Sequence, residues 1–286
     1  MAHIIPATSQ EKRRERIVSY ITRHGSARVE ALAEHFDVSA MTIHRDLEAL
    51  AADSLVERIR GGARSVSPSM SELAVGQRRH LHRTTKEALC TAAARLIPEG
   101  AVVAIDDSTT LEALVEKLPQ QAPSALITHS LKAMADHRTR AGMIDIRLIA
   151  CAGLYFSETD SFLGRSTSEQ LEALSADISF VSTTAVRATG GVPALFHPDM
   201  EAADTKRAVI GVGSVKVLVL DSSKFGSPGI FKVASIDEFD HIIIDQQCSR
   251  EQRDLLRNSR AHIHVIDHNG DEITDDNLAV LKEEDF

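Results

Sequence analysis

The stretch Val38–Leu50, VSAMTIHRDLEAL, decides how the first part of the chain is read. Ser39 is a natural N-cap, because its hydroxyl can accept a bond from a free backbone N–H of the first turn. With Ser39 as cap, Val38 stands at N′ and Ile43 at N4, the pair that forms a hydrophobic staple. Ile43, Leu47 and Leu50 recur at i, i+4 and i+7 and so mark one buried stripe. Met41, Thr42, His44, Arg45 and Glu48 then face away from it. A three-turn helix whose outer face carries Thr, His and Arg suits the major groove of DNA. An ordinary amphipathic surface helix would show the same stripe, so the neighbouring sequence has to separate the two.

The neighbours favour DNA. Gln10–His24 reads as a helix with Ile17, Val18 and Ile21 on one face and Gly25 as its stop. A second helix is expected over Arg28–Phe36, where Val29, Leu32, Ala33 and Phe36 follow helical spacing. Only Asp37-Val38-Ser39 separate it from the next helix, which leaves room for a tight turn and nothing else. Two short helices joined in this way, the second polar on its outer face, make a helix-turn-helix. Leu55–Arg60 then alternates loosely as a strand, and Gly61-Gly62 reads as a turn. Together they predict the hairpin wing of a winged helix. Its glycines would let the backbone approach phosphates, with Arg58, Arg60 and Arg64 supplying charge. A plain hairpin with solvated arginines is the competing reading, and it is the weaker one beside a helix-turn-helix.

Composition sets the frame. A chain of 286 residues with 43% hydrophobic content is globular and large enough for two domains. No run approaches a membrane span, and Met1–Ser9 lacks the basic-then-apolar pattern of a signal peptide. The three cysteines, Cys90, Cys151 and Cys248, are scattered and form no CxxC pair, which fits a reduced cytoplasmic compartment. The net charge of −9 sits uneasily with DNA binding, but it is unevenly spread. Up to Pro68 there are ten Lys/Arg against nine Asp/Glu, and the remainder carries 22 against 32. Phosphate affinity follows local basic groups rather than the chain total. The head is still only weakly basic, so modest affinity per head, raised by oligomerisation, and strong salt sensitivity are expected.

Ser65–Ser71 is a Ser/Pro stretch that reads as a linker. It divides the chain into a head over residues 10–67, a linker over 68–83 and a body over 84–286. Thr84 and Glu87 have capping-box spacing and predict the start of a helix that Pro98-Glu99-Gly100 stops. From there apolar, strand-like runs alternate with helices. The strands are expected at Ala101–Asp106, Ala125–Thr128, Ile146–Ala150, Ile178–Thr183, Val215–Leu220, His241–Ile244 and His262–Ile266. The helices are expected near Leu111–Lys117, Leu131–Arg138, Ser168–Leu174, Glu201–Val209 and Arg250–Asn258. Continuously apolar strands alternating with helices predict a parallel α/β sheet covered on both faces. The strand ends carry Asp106–Thr110, Thr128–Ser130, Cys151–Gly153, Thr183-Thr184 and Asp221–Lys224. In a parallel sheet these ends share one edge, where ligands bind. Ser108, Thr109, Thr110 and Ser130 sit at helix starts, suited to a phosphate or carboxylate, and Lys206 and Lys224 could add positive charge. Loop residues of these types also serve simply as caps; their repetition along one edge is what favours a site.

Two resemblances sharpen this. The order RRERIVSYI…HG…VEALAEHFDVSAMTIHRDLEAL…LVERIRGGA, about Glu11 to Ser67, closely resembles the N-terminal domain of DeoR-family bacterial transcriptional regulators. It implies DNA contacts from Arg28, Ser39, Met41, Thr42, His44 and Arg45 and from Arg58, Arg60, Gly61, Gly62 and Arg64 of the wing. That family usually has two basic residues before the recognition-helix Asp; here the first is His44. AIDDSTT, LITHS, DSFLG, ADISF, DTKRAVI and VLDSSKFG, within about Thr85 to Asp245, resemble the DeoR-family sensor domain. Its fold is similar to the ribose-5-phosphate isomerase and CoA-transferase superfamily. The resemblance implies a phosphorylated sugar or related metabolite as effector, held by Asp106, Ser108, Thr109, Thr110, His129, Ser130, Gly153, Lys206 and Lys224. Three positions depart from the family pattern: Ser108 replaces a glycine, His129 replaces an Asn, and Ala152-Gly153 stand for Gly-Gly.

The expectation is therefore a cytoplasmic, ligand-controlled transcriptional regulator, a repressor. Its partners would be double-stranded operator DNA, a phosphorylated metabolite and further copies of itself, as a dimer or tetramer. No cofactor, metal or membrane is expected. The competing function is a sugar-phosphate isomerase-like or CoA-handling enzyme with a DNA-binding head, for which Asp106, Asp107, Glu201, Lys206 and Lys224 are the available groups. His262-x-His264-x3-His268 places two histidines on one strand face, but no carboxylate pattern in the sequence accompanies them as a metal site requires. Cys151 reads as a small buried filler.

Overall fold

A computed structural model describes residues 9–52, 55–65, 75–140, 142–257 and 259–273. One compact unit holds the residues up to 65 together with 76–82, and a second holds Val75 and 83–273.

The head runs α1 (Ser9–His24), β1 (Ser26–Arg28), α2 (Val29–His35), α3 (Ala40–Ala52), β2 (Val56–Ile59) and β3 (Gly62–Ser65). The apolar stripes read from the sequence meet in one core: Ile17, Val18 and Ile21 of α1, Val29 and Leu32 of α2, and Ile43, Leu47 and Leu50 of α3. Ser39 caps α3, with the Thr42 N–H donating to its Oγ at 3.1 Å, and Val38 packs on the same core as Ile43. The turn between α2 and α3 is a Schellman motif. The Val38 N–H donates to the Ala33 carbonyl and the Asp37 N–H to the Glu34 carbonyl, while Asp37 takes a left-handed φ of 50°.

Two expectations for the head change. The second helix begins at Val29 and ends at His35, because Ser26–Arg28 extend into a strand paired antiparallel with β3. The wing is accordingly a three-stranded sheet in the order β1-β3-β2. Gly62 faces inward: a Cβ there would run into the Ala27 carbonyl oxygen. Its smallness lets β1 and β3 approach each other, and phosphate contact is not needed to explain it.

Helix α4 (Val75–His80) falls inside the stretch expected to be linker, and from Gly76 onward it groups with the head rather than the body. The Ser/Pro residues 66–74 lie outside the described residues. Helix α5 (Arg83–Ala94) already includes Thr84, so the expected capping box does not form; Glu87 accepts instead from the Arg83 Nε at 3.0 Å. There follow β4 (Val102–Ile105), α6 (Glu112–Val115), α7 (Leu118–Gln121), β5 (Ala125–Thr128), α8 (Leu131–Thr139), β6 (Arg147–Ala150), β7 (Leu154–Phe156), β8 (Ser161–Leu163) and α9 (Arg165–Glu172). The chain continues through β9 (Ala176–Val181), β10 (Ala185–Thr189), β11 (Val192–His197), α10 (Met200–Val212), β12 (Gly213–Leu220), β13 (Phe231–Ser235), β14 (His241–Asp245), α11 (Arg250–Arg257) and β15 (His262–Ile266).

All seven strands expected from the sequence join one sheet, in the order β15-β14-β12-β9-β4-β5-β6. Every neighbour pair in it is parallel. Successive side chains point to opposite faces, so each apolar run serves two cores. Ala104, Ile127, Val181, Leu218 and Ile242 pack with α10 on one side. Val103, Leu126, Phe180, Val217 and Ile243 pack with α5 and α6 on the other. The chain leaves β4 toward β5 and β6 but leaves β9 toward β12 and β14. The adjacent ends of β4 and β9 are thus the switch point where open α/β sheets hold ligands. The β7–β8 hairpin and the antiparallel sheet β10-β11-β13 were not foreseen.

Candidate functional site

Two surfaces carry the chemistry, one in each unit. On the head, α3 presents Met41, which is 63% exposed, together with exposed Arg45 and half-buried Thr42 and His44. The Ser39 hydroxyl is engaged with Thr42 both at its N–H and at its Oγ1. The Arg58 Nη2 lies 3.2 Å from His44 Nδ1, linking the wing strand β2 to the recognition helix. Arg64 is tied to Glu57 through two bonds of 2.8 Å. Arg28 is exposed at the start of α2, where its side chain makes no cap. Arg60 and Gly61 are exposed at the wing turn, and Gly61 supplies its positive φ of 77°.

What sequence reasoning missed in the head is the role of Asp46. It is fully buried on α3 and accepts from the Arg13 Nε at 2.7 Å and the Arg14 Nε at 2.9 Å. Burial alone would raise its pKa, but the bonds from Arg13, Arg14 and Gln10 outweigh that and hold the carboxyl below its ordinary value. The pair locks α1 onto α3. It also engages two of the head's basic groups within the fold.

In the body, the edge formed by β4, β5 and β9 gathers a buried polar network. Asp106 follows β4, and its carboxylate accepts from the Ser108 N–H at 2.9 Å and the Ser182 N–H at 3.0 Å. Lys206, buried on α10, donates to Asp106 at 2.6 Å and to Asp107 at 3.0 Å. Asp107 also accepts from the Ser161 hydroxyl at 2.7 Å and stands 3.5 Å from His129 Nε2. Burial opposes charge on Asp107, yet Lys206, His129 and Ser161 pull its pKa well below the ordinary value. Burial likewise disfavours charged Lys206, and the two aspartates more than restore it, raising its pKa. Lys206, expected to add positive charge at this edge, directs it at Asp106 and Asp107. Asp106 is held from three sides, whereas Asp107 is the member that faces His129.

Of the remaining predicted positions, Thr109, Thr110 and Ser130 lie on the loops that carry this network, whereas Gly153 and Lys224 have partners of their own. Thr109 Oγ1 accepts from the buried Lys86 Nζ at 3.0 Å, and the Thr110 carbonyl accepts from the Cys90 thiol. Ser130 caps α8 through the Ala133 N–H. Gly153 lies against α9, where a Cβ would collide with Thr167 Oγ1 and crowd the Leu163 carbonyl. Lys224 sits beyond β12, its Nζ 3.7 Å from Asp221. The His129 ring is fully buried, and neither of its nitrogens has a hydrogen bond within the protein; the same holds for Ser108 Oγ and Ser182 Oγ. Lys86, Ser161 and Ser182 were missed from the sequence. Lys86 lies in the middle of an Ala-rich helix, and nothing in that pattern reveals that it points at the β4 loop. Cys151 is buried, and burial raises its thiol pKa, in keeping with a packing role.

A helix-turn-helix head joined to a parallel-sheet unit with a buried polar network at its strand ends defines a DNA-binding transcriptional regulator of the sensor type. Comparison with known families agrees. The DeoR C terminal sensor domain matches residues 81–246 and the DeoR-like helix-turn-helix domain matches residues 13–69. The chain belongs to the DeoR family of transcriptional regulators. It is 29% identical over 236 residues to the glycerol-3-phosphate regulon repressor of Escherichia coli (strain K12), covering 82% of this chain and 91% of that one. It is 27% identical to the HTH-type transcriptional regulator GlpR of Haloferax volcanii, covering 90% of this chain and 97% of that one. It is also 27% identical to the L-fucose operon activator of Haemophilus influenzae, covering 85% and 98%. Among solved structures, ribose 5 phosphate isomerase A from Neisseria gonorrhoeae matches 50% of this chain and 53% of its own, at 15% identity and a TM-score of 0.34. A likeness that distant carries no functional argument. Among the described residues no helix is long and apolar enough to cross a membrane.

Proposed function

We propose that the chain is a cytoplasmic repressor, acting as a homo-oligomer, whose operator binding is controlled by a phosphorylated sugar or polyol held at the β4–β5–β9 edge. The observation that carries this reading is the pair His129 and Ser108. His129 Nδ1 and Ser108 Oγ are buried polar atoms with no hydrogen-bond partner in the protein. They lie by the sheet's switch point, where His129 Nε2 faces Asp107 at 3.5 Å beside the fixed Asp107–Lys206 pair and the Lys86–Thr109 contact. Buried polar groups of this kind call for a hydrogen-bonding ligand. Lys86 supplies a cation for a phosphate, and Asp107 supplies an acceptor for sugar hydroxyls. The relatives support the class: one represses a glycerol-3-phosphate regulon, and another activates an L-fucose operon. Lys206 and both aspartates are committed to one another, which favours binding over turnover.

The test is a thermal-shift titration of the full chain with glycerol 3-phosphate and a panel of sugar and polyol phosphates. Retention of DNA selected by the protein from a random pool would be measured alongside. A ligand at 100 times its Kd stabilises the unit that binds it by about 2.7 kcal/mol. One compound of the panel should do this and change DNA retention, and His129→Ala should abolish both responses while leaving unliganded DNA binding intact. A flat panel would overturn the effector class, and catalytic conversion of the bound compound would overturn the non-enzymatic reading.

A further inference from the structure

The far edge of the sheet carries a second constellation, unrelated to the proposed effector edge. β15 is the terminal strand, and His262 and His264 alternate onto one of its faces. Parallel pairing sets His241 of β14 beside His262 on that face. Beyond β15 the chain turns back through Asp267, whose carboxylate accepts from the Asn269 and Asp271 N–H groups. Arg95, just after α5, grips the returning segment, donating to the Gly270 carbonyl at 2.7 Å and to Asp271 at 2.9 Å. Glu272 is thereby delivered to the histidines, bridging to Ile266 on the edge strand. The sequence shows no carboxylate at a recognisable spacing; the turn supplies one.

We propose that His262, His264 and Glu272 form a binding site for a divalent late transition-metal ion of the zinc type. His264 Nδ1 lies 3.1 Å from Glu272 Oε2 and His262 Nε2 lies 3.8 Å from Glu272 Oε1. One donor atom from each residue falls within 4.8 Å of the others. Metal–ligand bonds of about 2.0–2.2 Å place the corners of a tetrahedral site about 3.3–3.6 Å apart, so small side-chain rotations close this set around an ion. Imidazole and carboxylate donors select the zinc, nickel, cobalt and copper group over calcium or magnesium. The other nitrogen of His264 is already occupied: Nε2 lies 3.1 Å from His241 Nδ1. With Nε2–H donating to His241, the Nδ1 lone pair of His264 is directed at the site. This is the arrangement by which an outer partner fixes the tautomer of a metal-binding histidine. His241 is accordingly a positioning residue. Exposed His262 leaves a route of entry and a coordination position for water. A bound ion would pin the returning segment to the edge strand and close that edge against pairing with another chain.

The experiment uses untagged full-length protein, stripped with a chelator and dialysed. It is titrated with Zn²⁺ by calorimetry and with Co²⁺ by visible absorption, which reports tetrahedral coordination directly. One equivalent per chain is expected, with a Zn²⁺-dependent rise in Tm. The double variant H262A/H264A should lose both, and H241A should weaken binding about 10- to 100-fold, as loss of an outer partner does. H268A serves as the control and should bind as the unaltered chain does. His262 is exposed, so H262A alone provides a variant whose fold is not at stake. Absence of stoichiometric binding by the unaltered chain, or binding that survives in H262A or H262A/H264A, overturns the site.

Discussion

The head and the body each bury a carboxylate against a cation, but in opposite proportion. In the head one aspartate, Asp46, is shared by two arginines whose side chains keep 20% and 29% of their surface in water. In the body two aspartates share one lysine that is 4% exposed. The first arrangement has cationic excess and water at hand, so it behaves as a clamp. The second has anionic excess and a lysine cut off from solvent, with His129 packed 3.5 Å from Asp107. A structure that must stay fixed while it reads DNA uses the former. A unit that must respond to a bound molecule gains from the latter, because a small change in local charge or hydrogen bonding is strongly felt there.

The largest effect should come from breaking the body's arrangement. Lys206→Met leaves Asp106 and Asp107 buried together without their cation. Removing one partner of a buried ion pair costs about 3–5 kcal/mol. Urea unfolding should therefore show the body's transition shifted to much lower denaturant, with the head's transition in place. A body transition that does not move would mean that the network contributes little to the fold.

Asp46→Ala is the matching cut in the head, and it should cost about 3 kcal/mol, at the low end because both guanidiniums can return to water. The clamp also carries a pH signature. The folded-state pKa of Asp46 lies below the ordinary value of 3.8. Its stabilisation is therefore complete above that value and is lost as the pH falls through the folded pKa. The head of the unaltered chain should lose stability on acidification below about pH 4, while Asp46→Ala should be less stable at neutral pH and show a shallower acid dependence. Head unfolding followed by far-UV circular dichroism across that range tests both statements. Equal acid slopes for the two proteins would remove Asp46 as the titrating group.

These two networks also mark the limit of what the sequence tells. The seven parallel strands are legible because most are continuous apolar runs set off by helices, and every one of them forms. The three head helices are legible from their stripes and from the Ser39 cap. The ion-pair networks are not, because Lys206 reaches Asp106 across 100 residues and Asp46 reaches Arg13 across 33. No local pattern signals a partner that far away. The short antiparallel strands are hidden for a different reason. Tyr155 and Val192 are about half exposed, and β11 includes a proline. Such segments lack the periodic contrast that burial imposes. The candidate residues at the strand ends were found as a set, whereas their individual roles depended on contacts visible only in three dimensions.

Arg45→Ala is the next effect in size and moves from stability to recognition. Arg45 projects from α3 into solvent, so its loss should leave the fold unchanged and weaken operator binding by about 1–3 kcal/mol if it contacts a base edge. Arg64→Ala should do less, since that guanidinium is already held by Glu57. Filter-binding curves for the two variants should separate them. Equal losses would show that the Glu57 pair opens on DNA.

The smallest effect expected is at His44, and it concerns how tightly the head is allowed to bind. Arg58 is turned toward the recognition helix by His44 Nδ1, an acceptor that exists only while that nitrogen is unprotonated. His44→Lys removes the acceptor, releases Arg58 to the wing surface and adds a permanent charge of its own. Binding should strengthen a few-fold at low salt, and the slope of log affinity against log salt should steepen by about 0.9 for each added phosphate contact. If the salt slope stays fixed, His44 and Arg58 do not face the phosphates, and the weak basicity of this head is set by the Arg13–Asp46–Arg14 clamp alone.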